Sequence, residues 1–190
     1  MTRLGILGGT FDPPHIGHLI LAQNAFENFK LDKVLFVPAA IQPHKQKRKV
    51  SPPEVRLRLL QLALEGDDRF DISDIELKRS GPSYTIDSLR SLQKLYKGIK
   101  LYFIIGGDNI SDIATWKDPD KIFEIADVVA VLRPDSQFEG PFKDRITLFN
   151  MPQIEISSSE IRKLVGQGKS VKYLVPDKVE KYIRENRIYS

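Results

Sequence analysis

Cysteine is missing from the 190 residues, tryptophan occurs once and histidine only three times. Without thiols the chain can build no disulfide, no Cys-ligated zinc site and no cysteine nucleophile. No apolar run approaches the roughly 20 residues that a membrane-spanning helix needs. The first apolar run, residues 4–7, is too short for a signal-peptide core and leads straight into Phe11-Asp12-Pro13-Pro14. A large excess of one charge is also absent: 29 Lys and Arg stand against 25 Asp and Glu, a net +4. That bias suits anionic small molecules and falls short of a tail that holds nucleic acid. There is no G-x-G-x-x-G fingerprint, which removes the main support for a hydride-transferring dinucleotide enzyme. The expectation is a cytoplasmic, soluble chain with no membrane or nucleic-acid partner; a homo-oligomer is compatible with it.

The composition, 41% hydrophobic and 28% charged, is that of an ordinary globular protein, and the length fits one domain over residues 1–190. A chain of this size buries roughly 70% of its unfolded surface and needs no staple. Compact β-rich runs at residues 4–7, 34–37, 101–105 and 128–132 read as buried parallel strands. Apolar residues at helical spacing predict helices over 19–29, 55–64, 84–96 and, briefly, 122–125. Two more helices, over 158–165 and 177–187, close the chain, the second after the Pro176 start signal. Strands alternating with helices predict an α/β fold, a parallel sheet covered on both faces.

The turn after the first strand reads Gly8-Gly9-Thr10-Phe11-Asp12-Pro13-Pro14-His15-Ile16-Gly17-His18 and holds two of the three histidines. Two glycines let backbone amides approach a phosphate or base. Pro13 and Pro14 hold the preceding residues extended, so the helix cannot begin before about His15. His15 and His18 then share one face of its first turn, at a helix end that attracts anions. A tight turn with incidental histidines is the plainer interpretation. A second helix start, Ile156-Ser157-Ser158-Ser159-Glu160-Ile161-Arg162, taken alone is a capping box of Ser157 with Glu160.

Together these segments resemble the nucleotidyltransferase superfamily. The first is similar to its phosphate-binding His-x-Gly-His signature, shared with class I aminoacyl-tRNA synthetases, and the second to its late Ser-Ser-x-x-Arg element. The resemblance implies a Rossmann-like doubly wound parallel sheet with C-terminal helices. It implies that Gly8, Gly9, Thr10, Phe11, His15 and His18 contact ATP, with Ser158, Ser159 and Arg162 on its phosphates.

Further elements resemble nicotinate mononucleotide adenylyltransferases in particular. A Pro-His-Lys element follows the second strand, at His44 and Lys45, inside a run with four Lys or Arg among residues 44–49; Lys47, Arg48 and Lys49 fit a solvated face. Ser83-Tyr84-Thr85, the turn Gly106-Gly107-Asp108, then Trp116 and Arg133-Pro134 follow in the family's order. Tyr173-Leu174-Val175-Pro176 also matches and reads as structural. Without the resemblance, Ser83 or Thr85 is a helix cap and Trp116 a core aromatic. The resemblance places Gly106, Asp108 and Arg133 on the ATP side. Thr10, His44, Lys45, Tyr84, Thr85 and Trp116 fall on the nicotinate mononucleotide side. Two departures stand out: Ile41-Gln42-Pro43-His44-Lys45 replaces an Asn-Pro-Pro-His-Lys run, and Lys117 replaces a second aromatic after the tryptophan.

The implied reaction joins ATP and nicotinate mononucleotide, releasing pyrophosphate. A phosphate monoester is mostly ionised at neutral pH, so no strong base is required. His15, His18, Lys45 and Arg162 are the implied catalytic group. Mg²⁺ would arrive with ATP and no dedicated metal site is expected, although three histidines could form a zinc site. The rivals are a pantetheine-phosphate adenylyltransferase, a cytidylyltransferase and a nucleotide-binding sensor without catalysis.

Overall fold

The computed structural model describes residues 2–40, 50–79, 81–107, 110–131 and 140–190. Six parallel strands form one sheet: β1 (Arg3–Gly9), β2 (Lys33–Pro38), β3 (Phe70–Ile72), β4 (Lys100–Ile105), β5 (Ala126–Val131) and β6 (Ile146–Phe149). Their spatial order, β3-β2-β1-β4-β5-β6, is that of a Rossmann-like doubly wound sheet. The four apolar runs are β1, β2, β4 and β5; Leu132 lies outside the described residues. The two edge strands carry too few apolar residues, three and four in length, to announce themselves.

Because side chains alternate across a strand, each central strand serves two cores. Leu4, Ile6, Leu35, Val37, Phe103 and Ile105 face α3 (Thr85–Leu95) and α4 (Pro119–Ile125), whose Ile86, Leu89, Leu92 and Ile122 are fully buried. Leu7, Val34, Phe36, Tyr102, Ile104 and Val129 face α1 (Ile16–Phe29) and α2 (Pro53–Leu64). Each such buried aliphatic side chain contributes roughly 2 kcal/mol of transfer energy. Helix α4 starts three residues earlier than its periodicity predicts, because Pro119 supplies its first turn.

A third apolar cluster attaches the end of the chain. Leu59 on the outer side of α2 meets Ile161 of α5 (Ser158–Gly166) and Val179 and Ile183 of α6 (Asp177–Glu185). Between them, the carbonyl of Leu174 accepts the Ile16 N–H at 3.0 Å. That bond satisfies one of the four amides a helix start leaves open. The 173–176 segment thus docks on the start of α1, with Val175 buried and Tyr173 exposed. Helix α6 ends at Glu185, two residues before the sequence-based boundary.

The chain passes from one face of the sheet to the other between β3 and β4, so the crossovers leave β1 and β4 in opposite directions. A crevice opens at the carboxyl ends of those two strands, the usual ligand position in such sheets. Gly8 and Gly9 end β1 and Gly106 follows β4 at that point.

Candidate active site

The turn after β1 is shaped by two close approaches. A side-chain carbon on Gly9 would lie 2.9 Å from the Phe11 ring, which is tucked beneath the turn and only 1% exposed. One on Gly17 would lie 3.1 Å from Nδ1 of His15. The glycine between the two histidines therefore leaves room for an imidazole. His15 is the N-cap of α1, with extended backbone, and its N–H donates to Nδ1 of His18 at 3.2 Å. The two rings stack with centroids 3.7 Å apart, and the His18 ring meets Phe11 edge-on at 5.0 Å.

This packing sets the protonation. Burial lowers the His15 pKa from 6.5 to about 4. His18 retains some exposed surface but is closely ringed by protein; that enclosure, and then His15, lower it well below 6.5. Both are neutral at pH 7. Since Nδ1 of His18 accepts a hydrogen bond, its one proton resides on Nε2. Nδ1 of His15 is buried with no partner among the described residues.

The start of α5 lies against the same turn. Ser157 caps it by accepting the Glu160 N–H at 3.2 Å, as the capping pattern predicts. The Ser158 hydroxyl donates to the Pro13 carbonyl at 2.8 Å, and Arg162 donates to the Asp12 carbonyl at 2.6 Å and to Ser159 Oγ at 3.2 Å. Segments about 150 positions apart in sequence are thereby joined into a cradle. Two helix starts, each with its positive dipole end, meet there.

Three residues of this region escaped the sequence reading. Arg56, 1% exposed, donates to the carbonyls of Thr10 at 2.9 Å, Ala39 at 2.8 Å and Ser51 at 3.0 Å. Burial lowers its pKa, opposed first by the nearby Asp12 carboxylate. Asp12, 2% exposed, accepts the Ser51 N–H on one oxygen and the Tyr189 hydroxyl on the other. Arg56 had one available signal: it occupies the Leu59, Leu60 and Leu64 face of α2, where periodicity calls for an apolar residue. Tyr189 had none.

Beside the cradle, a cavity of about 180 Å³ runs along Gly8, Gly9 and Gly106 and is walled by Tyr84, Thr85, Trp116 and Lys117. Trp116 is half-buried and rests edge-on against Phe103, with centroids 5.9 Å apart. Lys117 spans the wall, its ammonium 4.7 Å from the Tyr84 ring centre and 3.0 Å from Asp87 Oδ2. Tyr84, rather than Ser83 or Thr85, is the N-cap of α3. Ser83 Oγ instead accepts the Ala40 N–H at 3.0 Å. A fourth unforeseen residue, Glu76, lines the cavity and is buried; Ser88 donates to it at 2.5 Å. Burial raises its pKa, which the Ser88 and Ser83 hydroxyls and Arg79 partly offset.

Gly8, Gly9, Thr10, Phe11, His15, His18, Ser158, Ser159 and Arg162 thus gather at the cradle, and Tyr84, Thr85, Gly106 and Trp116 at the adjoining cavity. His44, Lys45, Asp108 and Arg133 lie outside the described residues. Among the described residues, no group of three or more His, Cys, Asp or Glu side chains could hold a metal ion, and no helix is long and apolar enough to cross a membrane.

A doubly wound sheet with paired imidazoles at the first helix start and a serine–arginine helix start joined to it defines a nucleotidyltransferase-type protein. In agreement, the cytidylyltransferase-like family model matches residues 6–164. A relative from Halalkalibacterium halodurans, named probable nicotinate-nucleotide adenylyltransferase, is 42% identical over 190 residues, covering 100% of this chain and 92% of its own. One of the same name from Geobacillus thermodenitrificans is 43% identical over 189 residues, covering 100% and 87%. The chain belongs to the nicotinate-nucleotide adenylyltransferase family of nucleotidyltransferases. The structure of Plasmodium falciparum nicotinic acid mononucleotide adenylyltransferase complexed with NaAD shares the fold, with a TM-score of 0.82 at 20% identity, over 100% of this chain and 98% of that one.

Proposed function

We propose that this protein transfers the adenylyl group of ATP to nicotinate mononucleotide, giving nicotinate adenine dinucleotide and pyrophosphate on the route to NAD, in the cytoplasm. The observation that carries the reading is the junction of the two helix starts through Ser158 and Arg162, directly beside an aromatic-walled cavity. Relatives named for this activity at 42% and 43% identity over the full chain support the choice of acceptor.

In the reaction a phosphate oxygen of the mononucleotide attacks the α-phosphorus of ATP. A new P–O bond forms as the bond to the α,β-bridging oxygen breaks, and the electron pair leaves on pyrophosphate. The attacking phosphate has its second pKa near 6 and is already ionised at neutral pH. The protein's work is alignment of two anions and stabilisation of charge developing at the α-phosphate. His18 donates its Nε2 proton as a hydrogen bond to that phosphate and His15 fixes the phosphate chain. Arg162, which retains N–H donors beyond its two protein bonds, holds the leaving pyrophosphate together with Lys45. Gly8 to Phe11, Gly106, Asp108, Arg133, Ser158 and Ser159 hold the rest of ATP, Asp108 at its ribose. Thr10, His44, Lys45, Tyr84 and Thr85 hold the mononucleotide, with Trp116 against its pyridine ring. Mg²⁺ enters as MgATP, part of the substrate, since substrate phosphates commonly carry it.

The names of the relatives favour the acid over the amide form of the acceptor, while the ammonium of Lys117 on the cavity wall is already paired with Asp87 at 3.0 Å. The test is pyrophosphate release from ATP with nicotinate mononucleotide, nicotinamide mononucleotide or pantetheine phosphate as acceptor. The expected order is nicotinate above nicotinamide, with nothing from pantetheine phosphate. Turnover with pantetheine phosphate alone, or ATP binding without turnover on any acceptor, overturns the reading.

A further inference from the structure

The segment after α6 turns back sharply. Arg187 and Tyr189 both adopt left-handed backbone, with φ of 50° and 70°. The turn brings the Tyr189 ring against the α2, α5 and α6 cluster and its hydroxyl to Oδ1 of Asp12 at 2.6 Å. Asp12 is three residues from His15, inside the phosphate turn.

Both oxygens of this buried carboxylate are engaged, Oδ2 by the Ser51 N–H at 3.1 Å and Oδ1 by Tyr189. The backbone carbonyl of the same residue accepts Arg162. Asp12 is therefore the point at which the turn, the α2 approach, Arg162 and the segment after α6 meet. A carboxylate 2% exposed beside the Arg56 guanidinium keeps its place only while its lone pairs are satisfied. Take away one donor and the side chain seeks another. That movement carries the carbonyl that aims Arg162 and the backbone that leads to His15.

We infer that Tyr189 is a positioning residue for adenylyl transfer: its hydroxyl, through Asp12, fixes the phosphate turn and the direction of Arg162. It touches neither substrate. The inference rests on the function proposed above and concerns only the phosphate half of the site, because neither Tyr189 nor Asp12 lines the cavity beside Trp116.

The test uses Tyr189→Phe, which removes one oxygen and leaves the ring in its apolar cluster. The result expected is a kcat about tenfold lower and an ATP KM about tenfold higher, the scale of one hydrogen bond to a charged group. The acceptor KM stays within about twofold and the melting temperature moves by no more than about 5 °C. A readout independent of turnover is calorimetric affinity for a non-hydrolysable ATP analogue, expected to weaken about tenfold as well. In the double variant with Asp12→Ala, which removes the acceptor altogether, Tyr189→Phe should add nothing further, because its effect runs through Asp12. Unchanged ATP affinity and kcat, or losses shared equally by ATP and acceptor, overturn the assignment. Should the wild type bind the analogue yet adenylylate no acceptor, the proposed function falls while the affinity comparison still decides the role of Tyr189.

Discussion

The two halves of the site are built in opposite ways. The cradle proposed for the phosphates is made of buried, mutually bonded groups: carbonyls held by Arg56, a carboxylate held on both oxygens, two imidazoles stacked at 3.7 Å. The cavity proposed for the acceptor is a half-open slot between Trp116, Tyr84 and the glycine ends of β1 and β4, with one ion pair on its wall. A cradle has to hold a transition state and tolerates little movement. A slot has to admit and release a ring. Stabilising charge needs fixed donors, whereas binding a ring needs mainly apolar area and a flat face.

The contrast predicts where substitutions act. Replacing His18 with Ala removes the donor proposed for the α-phosphate and should lower kcat by roughly 10² to 10⁴, with acceptor KM unchanged; a near-normal kcat in steady-state assays would refute its role. Arg56→Met strands three carbonyls and the Asp12 charge, for a stability loss of about 3 kcal/mol in urea unfolding. A loss near zero would show that water takes over these bonds.

The imidazoles add a pH signature. His15 falls from 6.5 to about 4 on folding, so between those values the unfolded chain binds a proton that the folded chain refuses. This contribution to stability is complete above pH 6.5 and diminishes as pH falls toward 4, by about 2 kcal/mol at pH 5. Between pH 7 and 5 the wild type should lose about 2 kcal/mol more than His15→Gln in urea unfolding. Parallel curves would mean that His15 titrates normally. The smallest effect belongs to the slot: Trp116→Ala should raise acceptor KM about tenfold and leave ATP KM alone. Equal changes in both would erase the division between the halves.

The same division governs what could be read from the chain. Strands β1, β2, β4 and β5 were legible because burial on both faces demands continuous apolar runs. The edge strands β3 and β6 were not, since three or four residues with Asp71 or Thr147 among them carry no distinctive pattern. In the cradle, the His15 to His18 turn was legible because its residues are contiguous. Its supports were not. Arg56, Asp12 and Tyr189 meet only in three dimensions, and the Asp12–Tyr189 bond spans 177 positions. In the slot, Tyr84, Thr85 and Trp116 were legible through family order, while Glu76 lay in an unpatterned stretch after β3.

The stacked imidazoles also leave the cradle without formal charge of their own. At rest both rings are neutral, so the folded protein avoids the repulsion of two imidazoliums at near-contact distance. A neutral imidazole can still point an N–H at an anion, but it adds no positive charge to the site. Attraction at longer range therefore falls to the Arg162 guanidinium and the two helix dipoles.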